Sequence, residues 1–187
     1  MPLSEPTERE LLHLRDIAIR GYRRADGLFD IEAEIADTKT YGFSIAGRRL
    51  EPGGKLHNML ARLTVDEHLT IIAAEAATEA GPFLNCPGGA EKFGRLAGLS
   101  IRAGFLREAN ARIGGVDGCT HIRELLQQMA TVAFQTSFVL PSRQSDTEAA
   151  ADRLINSCHA YSAAGPVVQR RWPELYTGPD RATAATG

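Results

Sequence analysis

The apolar residues of this 187-residue chain change their spacing near its middle, from every second position to the 3.6-residue period of a helix. Alternation with acidic residues over 29–38 predicts a half-buried strand with an acidic outer face. The alternating apolar residues are Phe29, Ile31, Ala33 and Ile35. Segments 56–66 and 69–78 predict two more strands joined by a tight turn at 66–68, whereas 46–54 predicts a loop. We therefore expect an antiparallel β-meander.

Helical spacing begins after Pro87. It predicts helices over 89–98, 104–113 and 119–136, separated by glycines that suit helix ends. The apolar stripe of the third helix is Ile122, Leu125, Leu126, Met129 and Ala133. A fourth helix is predicted over 146–160. Its stripe is Ala151, Leu154, Ile155 and Cys158.

Strands followed by helices predict an α+β fold, with an N-terminal antiparallel β-meander packed against C-terminal helices. The length suits one domain over residues 1–187. Within it we expect a β-rich part at 13–80, a helical part at 88–160 and an extended tail at 161–187. A short meander leaves edge strands that need covering, which favours a homodimer.

Composition limits the partners. The formal net charge is −2 and the basic residues are scattered, which argues against nucleic acid. The apolar runs are too short to cross a bilayer and the N-terminus is polar and acidic, so we expect a cytoplasmic protein that does not engage membranes. Cys86, Cys119 and Cys158 predict reduced thiols rather than disulfides.

A thiol and an imidazole stand two residues apart where the third helix begins, in Cys119-Thr120-His121. Unpaired N–H groups at a helix start favour a thiolate at Cys119 and a neutral, proton-accepting His121. The alternative is that Thr120 caps the helix and Cys119 packs as a small apolar residue.

Other candidates lie in the predicted sheet. His57 is either a general base or a hydrogen-bonded core histidine. The alternation puts Glu75 on a buried strand face, with Arg62 as an available partner, in a pair that is either structural or functional. Tyr22 and Arg24 lie at the entry to a hairpin.

Six blocks of the sequence together resemble the bacterial domain-of-unknown-function family numbered 2889, over residues 13–176. The blocks are YRRADGLFDIEAEIADTK, LHNMLARLTVD, EAATEAGPFLNCP, GGVDGCTHIRELL, ATVAFQT and NSCHAYSAAGPVVQRRWPELY. Against the family pattern, Ala25 replaces an acid, Ala33 a glycine and Asn58 an aspartate. The last change argues against an orienting role for the neighbour of His57.

The resemblance to this family implies in turn a relation to the phenylcoumaran γ-formaldehyde lyases of lignin-degrading bacteria, which we expect to be chains of this kind. That resemblance implies a small phenolic aromatic substrate, loss of a hydroxymethyl group as formaldehyde through a quinone methide, a stilbene product and no cofactor. Such chemistry needs two bases, an acid and an apolar slot.

The residue inventory can supply these groups. His57 and His121 are the candidate bases, and Tyr22 and Arg62 would hold or protonate phenolic oxygens, with Glu75 orienting Arg62. The expected substrate-binding residues are Arg24, Phe29, Phe83, Cys119 and Phe134.

Two other functions stay open. The order of strands and helices resembles that of iron–sulfur scaffold proteins, and Cys86, Cys119 and His121 could ligate a metal, with Asp117 or His159 as a fourth ligand. The second alternative is a binding module that holds a small ligand in the pocket proposed for the lyase substrate but does not convert it.

Overall fold

Four long strands form one antiparallel sheet in the computed structural model, which describes residues 3–144 and 147–179. The strands are β1 (His13–Arg23), β2 (Phe29–Lys39), β3 (Phe43–Ile45), β4 (Arg48–Leu50), β5 (Lys55–Val65) and β6 (Ile71–Ala80). The large sheet has the order β1-β2-β5-β6, and β3 and β4 form a separate small hairpin. Helices follow the strands, so the predicted α+β fold is confirmed.

The helices are mostly those predicted. They are α1 (Gly88–Glu91), α2 (Phe105–Ile113), α3 (Thr120–Ser137), α4 (Pro141–Gln144), α5 (Glu148–Leu154) and α6 (Pro166–Arg171). Short 3-10 turns lie at Phe93–Leu96, Gly115–Asp117, His159–Tyr161 and Pro173–Leu175. The first predicted helix is divided between α1 and the turn that follows it. No described helix is long and apolar enough to cross a membrane.

One face of the sheet is covered by α3 and is named here the inner face. The odd-numbered residues of β2 from Phe29 to Ile35 are buried there, as the alternation predicts. The predicted stripe of α3 is also buried, from Ile122 to Ala133. At Gly21 on β1 a Cβ would lie 1.7 Å from Thr136 Oγ1, so the close approach of helix and strand requires glycine.

The prediction missed β1 and the small hairpin. Every residue of β1 except Ala18 and Ile19 is exposed, because β1 is an edge strand, and its sequence therefore lacks a clear apolar alternation. The predicted loop 46–54 contains β4, which pairs with β3 across a turn at Ala46 and Gly47.

A bulge near the start of β6 reverses the faces of the residues that follow. Val65 pairs with Ile71, but Thr64 pairs with Ala73, so β6 has one extra residue between them. Ile71 is buried, whereas Ala73 and Glu75 are exposed on the outer face. The prediction that Glu75 continues the buried face of Ile71 is therefore wrong.

The chain divides into two compact units, Met1–Ser137 and Phe138–Gly187. The second unit has its own small core of Ala150, Ala151 and Trp172. The single domain expected over 1–187 stays a prediction.

Within the second unit the predicted fourth helix is too long. It begins at Glu148 and ends at Leu154, because Ile155 is extended and Asn156 has a left-handed φ of 60°. Cys158 is exposed rather than part of a buried stripe. The tail predicted to be extended contains α6 and the 3-10 turn at Pro173–Leu175. Residue 146 of the predicted helix and residues 180–187 of the predicted tail lie outside the described residues.

Candidate functional site

Ionisable side chains converge on the inner face at one end of the sheet, where β1 begins, β2 ends and β5 begins. The first turn of α3 covers this end. These side chains, named here the Asp37 cluster, are His13, Arg15, Asp37, His57 and His121. They come from three strands and one helix, so the site exists only in the folded chain.

Asp37 is the acceptor shared by the cluster. Its Oδ1 accepts from Arg15 Nε at 2.7 Å and His13 Nε2 at 3.1 Å, and its Oδ2 accepts from Arg15 Nη2 at 2.8 Å and His57 Nδ1 at 2.9 Å. The side chain is 1% exposed. A carboxylate has about four lone-pair positions, and four donors occupy them. The buried charge is therefore fully compensated.

Arg15 connects the sheet to the covering helix. Its guanidinium binds Asp37 through two nitrogens, while Nη1 donates to Glu124 Oε2 on α3 at 2.7 Å. The Arg15 guanidinium beside Asp37 holds the pKa of that carboxyl well below its usual range, helped by the bond from His57. Asp37 is consequently ionised at neutral pH.

His57 faces Asp37 across the β2–β5 ladder. A carboxylate can only accept, so the bond at Nδ1 requires the Nδ1–H tautomer and leaves Nε2 as the basic nitrogen. The His57 side chain is 14% exposed. Its sequence neighbour Asn58 projects to the other face of β5, so Asp37 orients His57.

His121 stacks on His57 from the first turn of α3. The ring centroids are 3.9 Å apart, and His121 Nε2 lies 3.9 Å from Asp37 Oδ2. Burial lowers the pKa of His121 from 6.5. A protonated His57 and the Arg15 guanidinium lower it further, whereas Asp37 and Glu124 raise it. His121 is thus a neutral imidazole next to an oriented one.

Cys119 lies at the edge of the cluster. Its carbonyl accepts the first helical bond of α3, from Arg123 N, and its Sγ is 3.8 Å from His121 Nδ1. The preceding loop needs glycine, since a Cβ at Gly118 would lie 2.1 Å from the carbonyl oxygen of Ile113. The sequence was therefore a correct guide to the helix start and to the proximity of this thiol and imidazole.

The predicted Arg62–Glu75 pair forms on the opposite, outer face of the sheet. Arg62 Nη1 donates to Glu75 Oε1 at 2.6 Å and Arg62 Nε donates to Glu32 Oε1 at 2.8 Å. These side chains border a depression of about 380 Å³ on that face. Arg62 and Glu75 are thus separated from His57 and His121 by the sheet itself.

The structure does not bring Tyr22, Arg24, Phe29 or Phe134 to the Asp37 cluster. Tyr22 is exposed and Arg24 pairs with Asp26, both at the far end of the β1–β2 hairpin. Phe29 is in the core, eight residues before Asp37 on β2 or roughly 26 Å away. Phe83 is exposed in the loop before α1, and Phe134 follows His121 by roughly 20 Å along α3.

One set of three metal-ligating side chains occurs within the described ranges. Ligand atoms of Asp37, His57 and His121 lie within 4.8 Å of one another. A cation there would have to displace a hydrogen-bond donor from Asp37 and would meet the charge of Arg15.

The ligand set predicted for a metal scaffold gains no such support. Cys86 and Cys119 do not belong to that set. Asp117 forms an ion pair with Lys92, and neither Asp117 nor His159 belongs to that set.

Sequence reasoning missed Asp37, Arg15, His13 and Glu124. Asp37 follows Ile35 at the next inward position of β2, so an acid in a buried register was the available signal. Arg15 lies directly opposite Asp37. That pairing required knowledge of β1, which has no comparable pattern of its own.

Comparison with known proteins shows the family of the chain. Residues 13–135 match the family model described as protein of unknown function (DUF2889), so the chain belongs to this family. No curated protein and no solved structure matches the chain.

Proposed function

We propose that this protein is a cofactor-independent carbon–carbon lyase that releases formaldehyde from a small phenolic dimer and leaves a stilbene. The observation that supports acid–base catalysis is the pair of stacked imidazoles, one of which is held by an ionised, buried Asp37. The substrate class rests on the expectation that phenylcoumaran γ-formaldehyde lyases are chains of this family.

The proposed reaction needs proton transfers only. Ionisation of the substrate phenol pushes electrons through its ring and breaks the C–O bond of the ring ether, which gives a quinone methide and a phenoxide. The phenoxide takes up a proton. Removal of the proton of the primary alcohol then breaks the carbon–carbon bond to the hydroxymethyl group. The bonding electrons restore the aromatic ring, and formaldehyde and the stilbene are released without an oxidant or reductant.

The Asp37 cluster has the groups for these steps. His57, with Nδ1–H bound to Asp37, offers Nε2 as a base, and Asp37 stabilises the imidazolium that forms. That imidazolium can return the proton to the departing ether oxygen. His121 is kept neutral by its burial and acts as the second base 3.9 Å away.

The three histidines of the Asp37 cluster differ in their exposure to solvent. The exposed fractions of the side chains are 42% for His13, 23% for His121 and 14% for His57. A substrate that approaches from the His13 side therefore meets a third imidazole, held on the other oxygen of Asp37. In this proposal Arg15 is a positioning residue, since both of its contacts are to protein carboxylates.

The test is to incubate metal-analysed protein with a phenolic phenylcoumaran-type dimer and to measure formaldehyde together with stilbene absorbance. We expect the two products in equal amounts, and none from the analogue whose phenol is methylated. Dialysis against a chelator should leave turnover unchanged. Turnover that is lost on dialysis and restored by a divalent metal would contradict a cofactor-independent mechanism.

Substitutions of the two stacked histidines test whether the Asp37 cluster carries out the reaction. His57→Gln and His121→Gln should each lower kcat by about 10²–10⁴-fold. His68→Gln is the matched control, because His68 lies on the β5–β6 turn and its side chain is 79% exposed. Ligand-induced thermal stabilisation without products would instead support the small-molecule binding module.

A further inference from the structure

We propose that β1 pairs antiparallel with β1 of a second copy of this chain, with the two-fold axis at Ala18, to form one continuous sheet. The two edges of the sheet differ. The edge at β6 is covered near its start, where Ile71 N–H donates to Leu99 O and Gly98 N–H donates to Ile71 O, each at 2.8 Å. In the part of the chain that the structure describes, no strand pairs with the outer edge of β1.

The backbone of β1 has the hydrogen-bonding pattern that such pairing needs. Thr40 N donates to Leu12 O at one end of the β1–β2 ladder, and Arg24 N donates to Leu28 O at the other. The register between them has no irregularity, so even-numbered residues of β1 bond to β2. The N–H and C=O groups of the odd-numbered residues, from His13 to Arg23, therefore point away from the sheet.

The side chains of β1 select the register. With the axis at Ala18, Asp16 lies opposite Arg20 of the partner subunit, and the symmetric pair repeats this contact. Ile17 lies opposite the partner's Ile19. Exposed Leu14 lies opposite the partner's Tyr22, so an apolar pair flanks each ion pair on the outer face.

Other allowed registers fit less well. Odd-numbered residues of β1 must pair with odd-numbered residues of the partner strand. The two-fold axis therefore passes through a residue of β1 and never between two residues. An axis at Ile17 puts Asp16 opposite the partner's Ala18, whereas an axis at Ile19 puts Arg15 opposite the partner's Arg23. The axis at Ile17 therefore loses the ion pairs, and the axis at Ile19 places two like charges opposite each other. The axis at Ala18 keeps the ion pairs and avoids that repulsion.

This arrangement also extends the candidate site. In the Ala18 register His13 lies opposite Arg23 of the partner subunit on the inner face. Arg23 of the same chain is at the far end of β1, opposite Phe29. The dimer thus adds a guanidinium to the exposed side of the Asp37 cluster that a single chain cannot supply.

The experiment measures the mass of the full chain by sedimentation equilibrium over a range of concentrations. Wild-type protein should be a dimer. Asp16→Arg should weaken the dimer by at least about tenfold in Kd, because both ion pairs become repulsive. The doubly reversed D16R/R20D variant should recover the dimer, since opposite charges again face each other.

Glu75→Arg is the matched control, because it makes the same charge change on the outer face of β6, away from the β1 edge. It should leave the dimer intact. Asp16 lies opposite Ala36 in its own sheet, so the Asp16→Arg chain should keep its fold, which its circular dichroism spectrum measures. A wild-type monomer at all concentrations would overturn the proposal. A dimer that D16R does not weaken would do the same.

Discussion

Two arginine–carboxylate groups lie on opposite faces of the same sheet, and they differ in burial rather than in chemistry. On the inner face Arg15 binds Asp37, whose side chain is 1% exposed and also accepts from two histidines. On the outer face Arg62 binds Glu32 and Glu75, which are 39% and 69% exposed. Exposed pairs contribute little to stability, whereas loss of one partner from a buried pair leaves a costly charge.

The strongest test of this difference removes one carboxylate from each face. Asp37→Asn should cost about 3 kcal/mol of unfolding free energy, because Arg15 loses its buried partner. It should also lower kcat by about 10²–10⁴-fold, because an amide no longer fixes the tautomer of His57. Urea unfolding and product formation are the measurements.

Glu75→Gln is the matched change on the outer face. It should alter the unfolding free energy by less than about 1 kcal/mol and leave kcat unchanged. Equal changes in unfolding free energy for the two substitutions would show that burial does not determine how much each carboxylate contributes to stability. An unchanged kcat in Asp37→Asn would remove Asp37 from the proposed chemistry.

The second test concerns packing against the inner face. Gly21→Ala should destabilise the chain by about 1–3 kcal/mol, because the new Cβ would lie 1.7 Å from Thr136 Oγ1 on α3. Ala18→Gly, on the outer side of β1, removes a methyl group instead and should cost about 1 kcal/mol or less. Thermal melting compares the two. A larger loss at Ala18 would contradict the tight approach of α3 to β1.

The alternating pattern made much of the fold predictable. It predicted which residues of β2 and β5 lie on the inner face, and the helical period predicted α2 and the buried stripe of α3. The position of Glu75 was not predictable. A single extra residue in β6 moves the residues that follow it to the opposite face of the sheet, and the apolar spacing of the sequence does not show this bulge.

The candidate site was predictable only in part. His57, Cys119 and His121 stood out because each lies near the start of an element. Asp37 and Arg15 are positioned by strand pairing between segments that are 22 residues apart, which the spacing of one sequence does not reveal. The acid that orients the predicted bases was therefore the member that sequence reasoning missed.

The third test is the pH dependence that burial produces. Because the pKa of His121 is lowered, the part of the acidic limb of kcat/KM that comes from His121 should lie below pH 6.5. The unfolded chain binds more protons there, so the free energy of unfolding should also decrease as the pH falls below 6.5. NMR titration of His121 measures its pKa directly.

Arg15→Gln should raise the pKa of His121, since a positive charge is removed, and should move the acidic limb to higher pH. Arg15→Lys keeps the charge and is the control. If Gln and Lys at this position gave the same titration of His121, the contribution of the Arg15 charge would be excluded.

The smallest effect is expected for the central arginine of the outer face. Arg62→Gln breaks both ion pairs with Glu32 and Glu75, yet it should change the unfolding free energy by about 0–1 kcal/mol, and less at high salt. Urea unfolding at two ionic strengths measures this. A loss of several kcal/mol would mean that the outer-face pair behaves like the buried one.

The contact between Arg15 and Glu124 joins residues that are 109 positions apart in the chain. The entropy of closing a large loop must be overcome before a contact of such long range adds stability. A chain with the sheet formed but α3 undocked would lack this link and the imidazole of His121. We therefore expect recovery of turnover during refolding to lag behind recovery of sheet structure.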